Sequence, residues 1–227
     1  MDYITHYVDA WMVHPFLAVP KSRRMLMSWT NIALYLWDTA FHEARLNALV
    51  SRKEDASAEL LSRARFIFDR IPKEVVPREL LPKLEATSTE MKFKELNSSL
   101  QAYAQGANQL RQYTFSGIFA DEIAFWEQAE EVYKAAIPTL SKANDSVKGM
   151  GGRFTAVSSA SPGFFQRLVF DAIDKTNQTQ LPEDTQYQVE RPINGLRTWK
   201  NQKTDSSYSN SISTLTQERH PTPTKIN

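Results

Sequence analysis

The sequence predicts an α/β domain: a mainly parallel sheet with helices on both faces. Three observations carry this. Short apolar runs recur along the chain and are separated by longer segments of helical periodicity. One run, Gly117-Ile118-Phe119-Ala120, is nearly uninterrupted, as in a strand buried on both faces, and it ends in Asp121 and Glu122. The 227 residues can enclose one sizeable core, and no glycine- or serine-rich linker divides them into two.

Composition narrows the function classes. The formal net charge is +1, so no global field draws the chain to nucleic acid. Cysteine is absent, which excludes a disulfide framework and thiolate metal sites. His6, His14, His42 and His220 lack ligand spacing and read as ordinary histidines. No apolar run reaches spanning length and no signal pattern opens the chain, so a soluble, intracellular protein is expected.

In chain order, Tyr3, Ile4, Tyr7, Val8, Trp11 and Met12 give residues 1–15 helical spacing and an aromatic stripe that packs on the core. Residues 16–19 read as a strand and 28–41 as a helix. Between them lies the basic loop Pro20-Lys21-Ser22-Arg23-Arg24. Residues 47–51 form a second strand and 53–71 a polar helix with Leu60, Leu61, Ala64, Ile67 and Phe68 inward. Pro72, Pro77 and Pro82 punctuate a loop. Residues 91–96 and 100–104 alternate as a strand pair turning at Asn97-Ser98, and 105–113 is a polar connector. After the Asp-Glu strand come a helix over 123–136, a polar loop over 141–152, a strand over 153–158 and a helix over 164–173. Residues 201–227 hold too few large apolar side chains to offset ordering entropy and are expected to be a disordered tail.

Two stretches carry chemistry. Ligands in open α/β sheets sit off the carboxyl ends of the strands, where Asp121 and Glu122 emerge. One carboxylate can hold Mg²⁺ while the next orients and deprotonates water, a Walker B arrangement followed by a catalytic glutamate. The same residues also suit a plain helix start, where acidic side chains meet the positive end of the dipole. Upstream, strand, basic loop and helix are the setting of a phosphate-binding loop. Aligned on Ser28, however, the pattern GxxxxGK[ST] meets Lys21 at its first glycine, Leu26 at its second and Met27 at its lysine. The first glycine of the chain is Gly106. A basic loop is also compatible with a solvated turn, as Ser158-Ser159-Ala160-Ser161-Pro162-Gly163 is with an ordinary one.

Together these segments resemble the ATPase domain of the large terminase subunit of tailed phages and prophages, most clearly over residues 15–175, with 1–200 taken as the domain. The carriers are Pro20-Lys21-Ser22-Arg23-Arg24 with Ser28-Trp29, Gln109-Leu110-Arg111-Gln112-Tyr113, Phe119-Ala120-Asp121-Glu122 with Ala124-Phe125-Trp126, and Ser158 to Phe165. The resemblance implies a P-loop NTPase-like fold of the ASCE type. It implies that ATP and Mg²⁺ are bound, ATP through Lys21, Ser22 and Ser28. Asp121 and Ser28 would hold the metal and Glu122 would activate water. Arg23 or Arg24 would stabilise charge on the transferred phosphoryl group. Ser158, Ser159 and Ala160 would couple hydrolysis to movement of double-stranded DNA. Portal protein, a small terminase subunit and a homo-oligomeric ring are the implied partners, in the host cytoplasm.

Two departures qualify it. Leu26 stands where the family keeps a glycine, which lets a loop wrap phosphate closely. The chain is also read as ending before the RNase H-like nuclease domain of full large subunits, as a split motor or a truncated prophage gene would. The expected activity is Mg²⁺-dependent ATP hydrolysis driving DNA translocation. The alternative is a catalytically impaired remnant or assembly module without turnover. A helicase-like ATPase is a third reading, but a second motor domain does not fit this length.

Overall fold

The computed structural model describes residues 2–141, 152–170, 190–193, 196–201 and 212–217. Its centre is a sheet with six parallel strands. In chain order the strands are β1 (Phe16–Pro20), β2 (Leu46–Ser51), β3 (Leu84–Ala86), β4 (Glu90–Phe93), β5 (Ser98–Ala104), β6 (Gly117–Asp121), β7 (Arg153–Ser158), β8 (Glu190–Ile193), β9 (Leu196–Asn201) and β10 (Ile212–Gln217). Their spatial order is β3-β4-β5-β2-β6-β7-β1-β10-β9-β8. Every pairing from β5 through β10 is parallel, and the two edges extend antiparallel through β4 and β3 and through β9 and β8. The strand entering the basic loop and the strand ending in the carboxylates are thus near neighbours with β7 between them.

The helices are α1 (Asp2–Val13), α2 (Met27–Ala40), α3 (Glu54–Asp69), α4 (Ala107–Arg111), α5 (Ala129–Ser141) and α6 (Phe164–Phe170). Side chains alternate across each strand, so the sheet supplies two cores. Phe16 and Ala18 of β1, with Ile118 and Ala120 of β6, face α4, α5 and α6. Leu17, Val19 and Phe119 face α1, α2 and α3. The inner strands read as unbroken apolar runs because both faces are covered.

Several elements differ from expectation. The helix expected over 123–136 is a 3₁₀ turn, Ile123–Phe125, followed by α5, because the chain turns sharply at Glu122 before the helix begins. The polar connector contains the short α4. Of the helix expected over 164–173, the part through Phe170 is described, and most of the 141–152 loop lies outside the described residues. Within the expected tail, Asn201 ends β9 and Ile212–Gln217 lies beside β1; the rest of 201–227 is outside the described residues.

One glycine sets a close approach. A Cβ on Gly117 would lie 2.6 Å from Asn47 Oδ1 and 2.7 Å from a Tyr35 ring carbon. Tyr35 reaches across from α2, donates its hydroxyl to Ile118 O at 2.9 Å and stacks on Phe119. This seats α2 against β6, and its N-terminus is thereby brought to the carboxylates.

Candidate functional site

The site forms at the carboxyl ends of β1, β6 and β7. Asp121 is the last residue of β6 and still pairs in register with Val157 of β7. Ser28 sits in the first turn of α2 and donates its hydroxyl to Asp121 Oδ1 at 2.7 Å, across 93 residues of sequence. Lys21 follows β1 directly. Its ammonium lies 2.5 Å from Glu122 Oε1, and its backbone N–H donates to Ser158 O at 2.9 Å. The second Glu122 oxygen accepts from the Ser159 N–H at 3.0 Å and from the Ser158 hydroxyl at 3.2 Å.

Successive residues of a strand point to opposite faces, yet Asp121 and Glu122 serve one site. The conflict is resolved at Glu122, which leaves the strand in the left-handed region with φ 52° and ψ 41°. The left-handed region is uncommon for a residue with a Cβ and persists where neighbouring contacts hold it.

The electrostatics separate the two carboxylates. Burial pushes the Asp121 carboxyl up; the Ser28 hydroxyl opposes this, Glu122 adds to it, and the charges of Lys21 and Arg63 oppose it, with a net rise. Burial also pushes Glu122 up, but the Lys21 ammonium, the Ser159 N–H and the Ser158 hydroxyl outweigh it and hold Glu122 below the usual range. Lys21 against two carboxylates leaves this cluster net negative, so an incoming polyphosphate needs further positive charge. Two oxygens, a hydroxyl and a carboxylate, stand close enough to share a hard cation, and Mg²⁺ takes one or two such protein ligands beside substrate phosphates. Among the described residues no group of three or more His, Cys, Asp or Glu side chains converges as a self-sufficient metal site.

The loop between β1 and α2 reaches its shape without glycine. Arg24 has φ 64° and Leu26 has φ 55° and ψ 10°, both left-handed. Leu26 precedes α2 and its side chain is exposed. The Tyr3 hydroxyl of α1 donates to Met25 O at 3.3 Å. Ser22, Arg23 and Arg24 are exposed. Ala160 is exposed beyond β7. The fold therefore brings together Lys21, Ser28, Asp121, Glu122, Ser158 and Ser159, and leaves Ser22, Arg23, Arg24 and Ala160 at the rim.

Further contacts complete the site. The Ala124 N–H donates to the Ser158 hydroxyl at 3.1 Å, and the Trp126 indole donates to Asp121 O at 3.0 Å. Arg63 of α3 lies 5.6 Å over the ring of Trp29, the residue after Ser28. No local spacing announces Arg63, which is 35 positions beyond Ser28. A cavity of about 340 Å³ adjoins the site, lined by Pro20, Ala160, Ser161, Pro162 and Phe165. A larger one, about 660 Å³, lies apart from the carboxylates, between α3 and the β3–β4 hairpin.

No protein-family model matches the chain, and no curated protein matches it. Solved structures do. The ATPase domain of the large terminase of Thermus phage P74-26 superposes with a TM-score of 0.53 at 13% identity, covering 73% of this chain and 68% of that one. An arginine-to-alanine mutant of the same domain gives 0.52 at 12% identity with the same coverage. The large terminase of bacteriophage HK97 gives 0.49 at 11% identity, over 70% of this chain and 33% of that one. The chain shares the fold of phage large-terminase ATPase domains. No helix among the described residues is long and apolar enough to cross a membrane.

Proposed function

We propose that this chain is the ATP-hydrolysing domain of a phage or prophage DNA-packaging motor. The observation that supports this most directly is the convergence of Ser28 on Asp121, 2.7 Å apart, where a basic loop, a helix N-terminus and adjacent strand carboxylates meet. Packing that serves stability alone has no need to gather these groups at one end of a parallel sheet.

In this reading the phosphates lie at the start of the 14-residue α2, where unsatisfied N–H groups and the helix dipole favour anions. Lys21 neutralises phosphate charge, and Arg23 or Arg24 closes from the rim onto the transferred phosphoryl group. Asp121 and Ser28 are the residues that would hold Mg²⁺, which would supply positive charge to neutralise the phosphates. Glu122 orients the attacking water and takes its proton. The water oxygen bonds to the γ-phosphorus, the bond to the β–γ bridging oxygen breaks, and ADP and phosphate leave. Ser158 and Ser159 grip the same carboxylate, so a change at Glu122 reaches the end of β7 and the segment toward Ala160. That segment is where hydrolysis would be coupled to double-stranded DNA. Portal protein, a small terminase subunit and further copies of the chain are the expected partners.

The test is phosphate release from Mg-ATP by the purified protein, with and without double-stranded DNA. Turnover raised by DNA is expected. Nucleotide binding and turnover both absent would leave the non-catalytic assembly module.

A further inference from the structure

Glu122 occupies a backbone conformation that a side chain disfavours, so something must hold it there. The Lys21 and Ser159 contacts act on its carboxylate, not its backbone. The turn that follows acts on the backbone. The Phe125 N–H donates to Glu122 O at 3.0 Å and the Trp126 N–H to Ile123 O at 3.2 Å. Trp126 then folds back, and its indole N–H reaches Asp121 O at 3.0 Å. This bond spans the peptide that joins the two carboxylate residues. Trp126 is only 6% exposed and belongs to the same buried cluster as Ile123, Ala129 of α5 and Phe165 of α6. The indole is therefore anchored in the core while its polar edge grips the strand end. A buried indole N–H does not always serve this way: that of Trp11 has no such partner among the described residues.

We propose that Trp126 is a positioning residue: its indole N–H fixes the Asp121–Glu122 turn that aims the Glu122 carboxylate at Lys21 and Ser159. The role in hydrolysis rests on the reading of Glu122 as the base. Ser28 and the start of α2 lie outside this turn, so the N–H should matter for the base and not for phosphate binding.

Two variants separate the N–H from the ring. Trp126→Phe keeps an apolar ring. Benzothienylalanine at position 126 keeps the bicyclic shape and replaces the N–H by sulfur. Crystal structures of both, compared with the wild type, should show Ser28 still on Asp121 and the Glu122 carboxylate displaced from Lys21 and Ser159. In single turnover, both should hydrolyse Mg-ATP roughly tenfold to a hundredfold more slowly, the scale of an ångström-sized misplacement. Affinity for a non-hydrolysable ATP analogue should be no weaker than in the wild type, since a Lys21 freed from Glu122 is available to phosphate. A Glu122 carboxylate unmoved in the benzothienylalanine protein overturns the proposal. So does loss of analogue affinity in step with hydrolysis. If the wild type itself hydrolyses nothing, the reading of the site fails, while the position of Glu122 in the variants still decides the role of Trp126.

Discussion

Lys21 and Glu122, 101 residues apart in sequence, form an ion pair with 2.5 Å between Nζ and Oε1. The pair joins the end of β1 to the turn after β6 and passes over β7, whose Ser158 contacts both partners. The Lys21 side chain is only 10% exposed, so the ammonium has little water to fall back on. Each group is thereby engaged with the other: the cation suited to a phosphate sits on the carboxylate suited to a water. In the proposed reading, a nucleotide would have to draw Lys21 away before Glu122 could act as a base.

Glu122→Gln should expose this competition. The amide is a poorer partner for the ammonium, so Lys21 is released for phosphate, and it cannot take a proton from water. ATP binding should be as tight as in the wild type or tighter. Hydrolysis should fall by at least about a hundredfold, the usual scale for loss of a general base. Titration with labelled nucleotide and a phosphate-release assay measure the two effects. Undiminished hydrolysis would remove Glu122 from the mechanism.

Asp121→Ala should separate metal from nucleotide. Its carboxylate touches Ser28 and not Lys21, so in the proposed reading the phosphate contacts would survive and the metal ligand would be lost. Binding measured in Mg²⁺ should fall to the level that the wild type shows in excess chelator, and chelator should change the variant little. Ser28→Ala should move in the same direction by a smaller amount. An Asp121→Ala protein that still responds fully to Mg²⁺ would place the metal elsewhere.

The fold was largely legible because its signals are local. Residues 16–19, 47–51 and 153–158 are apolar runs bounded by polar segments, and all three are inner strands of the sheet. The turn at Asn97 was legible too, and that residue has the left-handed φ of 50° that asparagine tolerates. The α5 boundary was not. Residues 123–136 carry a helical pattern, but the strand end at Asp121 and the Trp126 bond impose a turn that no neighbouring residue type announces. In the site, the carboxylates and Ser28 stood out by residue type. The grip of the Ser159 N–H, the indole bond and Arg63 over Trp29 did not, because backbone groups look alike in sequence and α3 reaches the site only through the fold.

Gly117→Ala should destabilise the protein. The added methyl would meet Asn47 Oδ1 at 2.6 Å and Tyr35 at 2.7 Å, and both neighbours are fully buried. Tyr35 cannot retreat without losing its bonds to Ile118 O and the Thr155 hydroxyl. Overpacking of this kind costs about 1–3 kcal/mol. Thermal and denaturant unfolding would measure it. Unchanged stability would mean that α2 shifts freely on the sheet.

Leu26→Gly tests the feature in which the loop departs most from a glycine-bearing one. Leu26 already holds φ 55°, so the left-handed shape is reached despite its Cβ, at a strain of roughly 1–2 kcal/mol for an L-residue. The side chain is 45% exposed, so its removal forfeits little buried area. Against this, glycine loses more backbone entropy on folding, by roughly 0.5–1 kcal/mol. Relief of strain outweighs that term only modestly, so the melting temperature should rise by a few degrees at most, in line with about 2–4 °C per kcal/mol for a chain of this size. Leu26→Ala keeps the Cβ and should gain nothing, which separates strain from side-chain size. Nucleotide affinity divides two accounts of the loop. If the leucine hinders the approach of backbone N–H groups to phosphate, Leu26→Gly should bind ATP more tightly and Leu26→Ala should lie between it and the wild type. Lys21→Ala should weaken binding in either background. Equal affinity in all three position-26 proteins would show that an exposed leucine in this conformation leaves the phosphate path open.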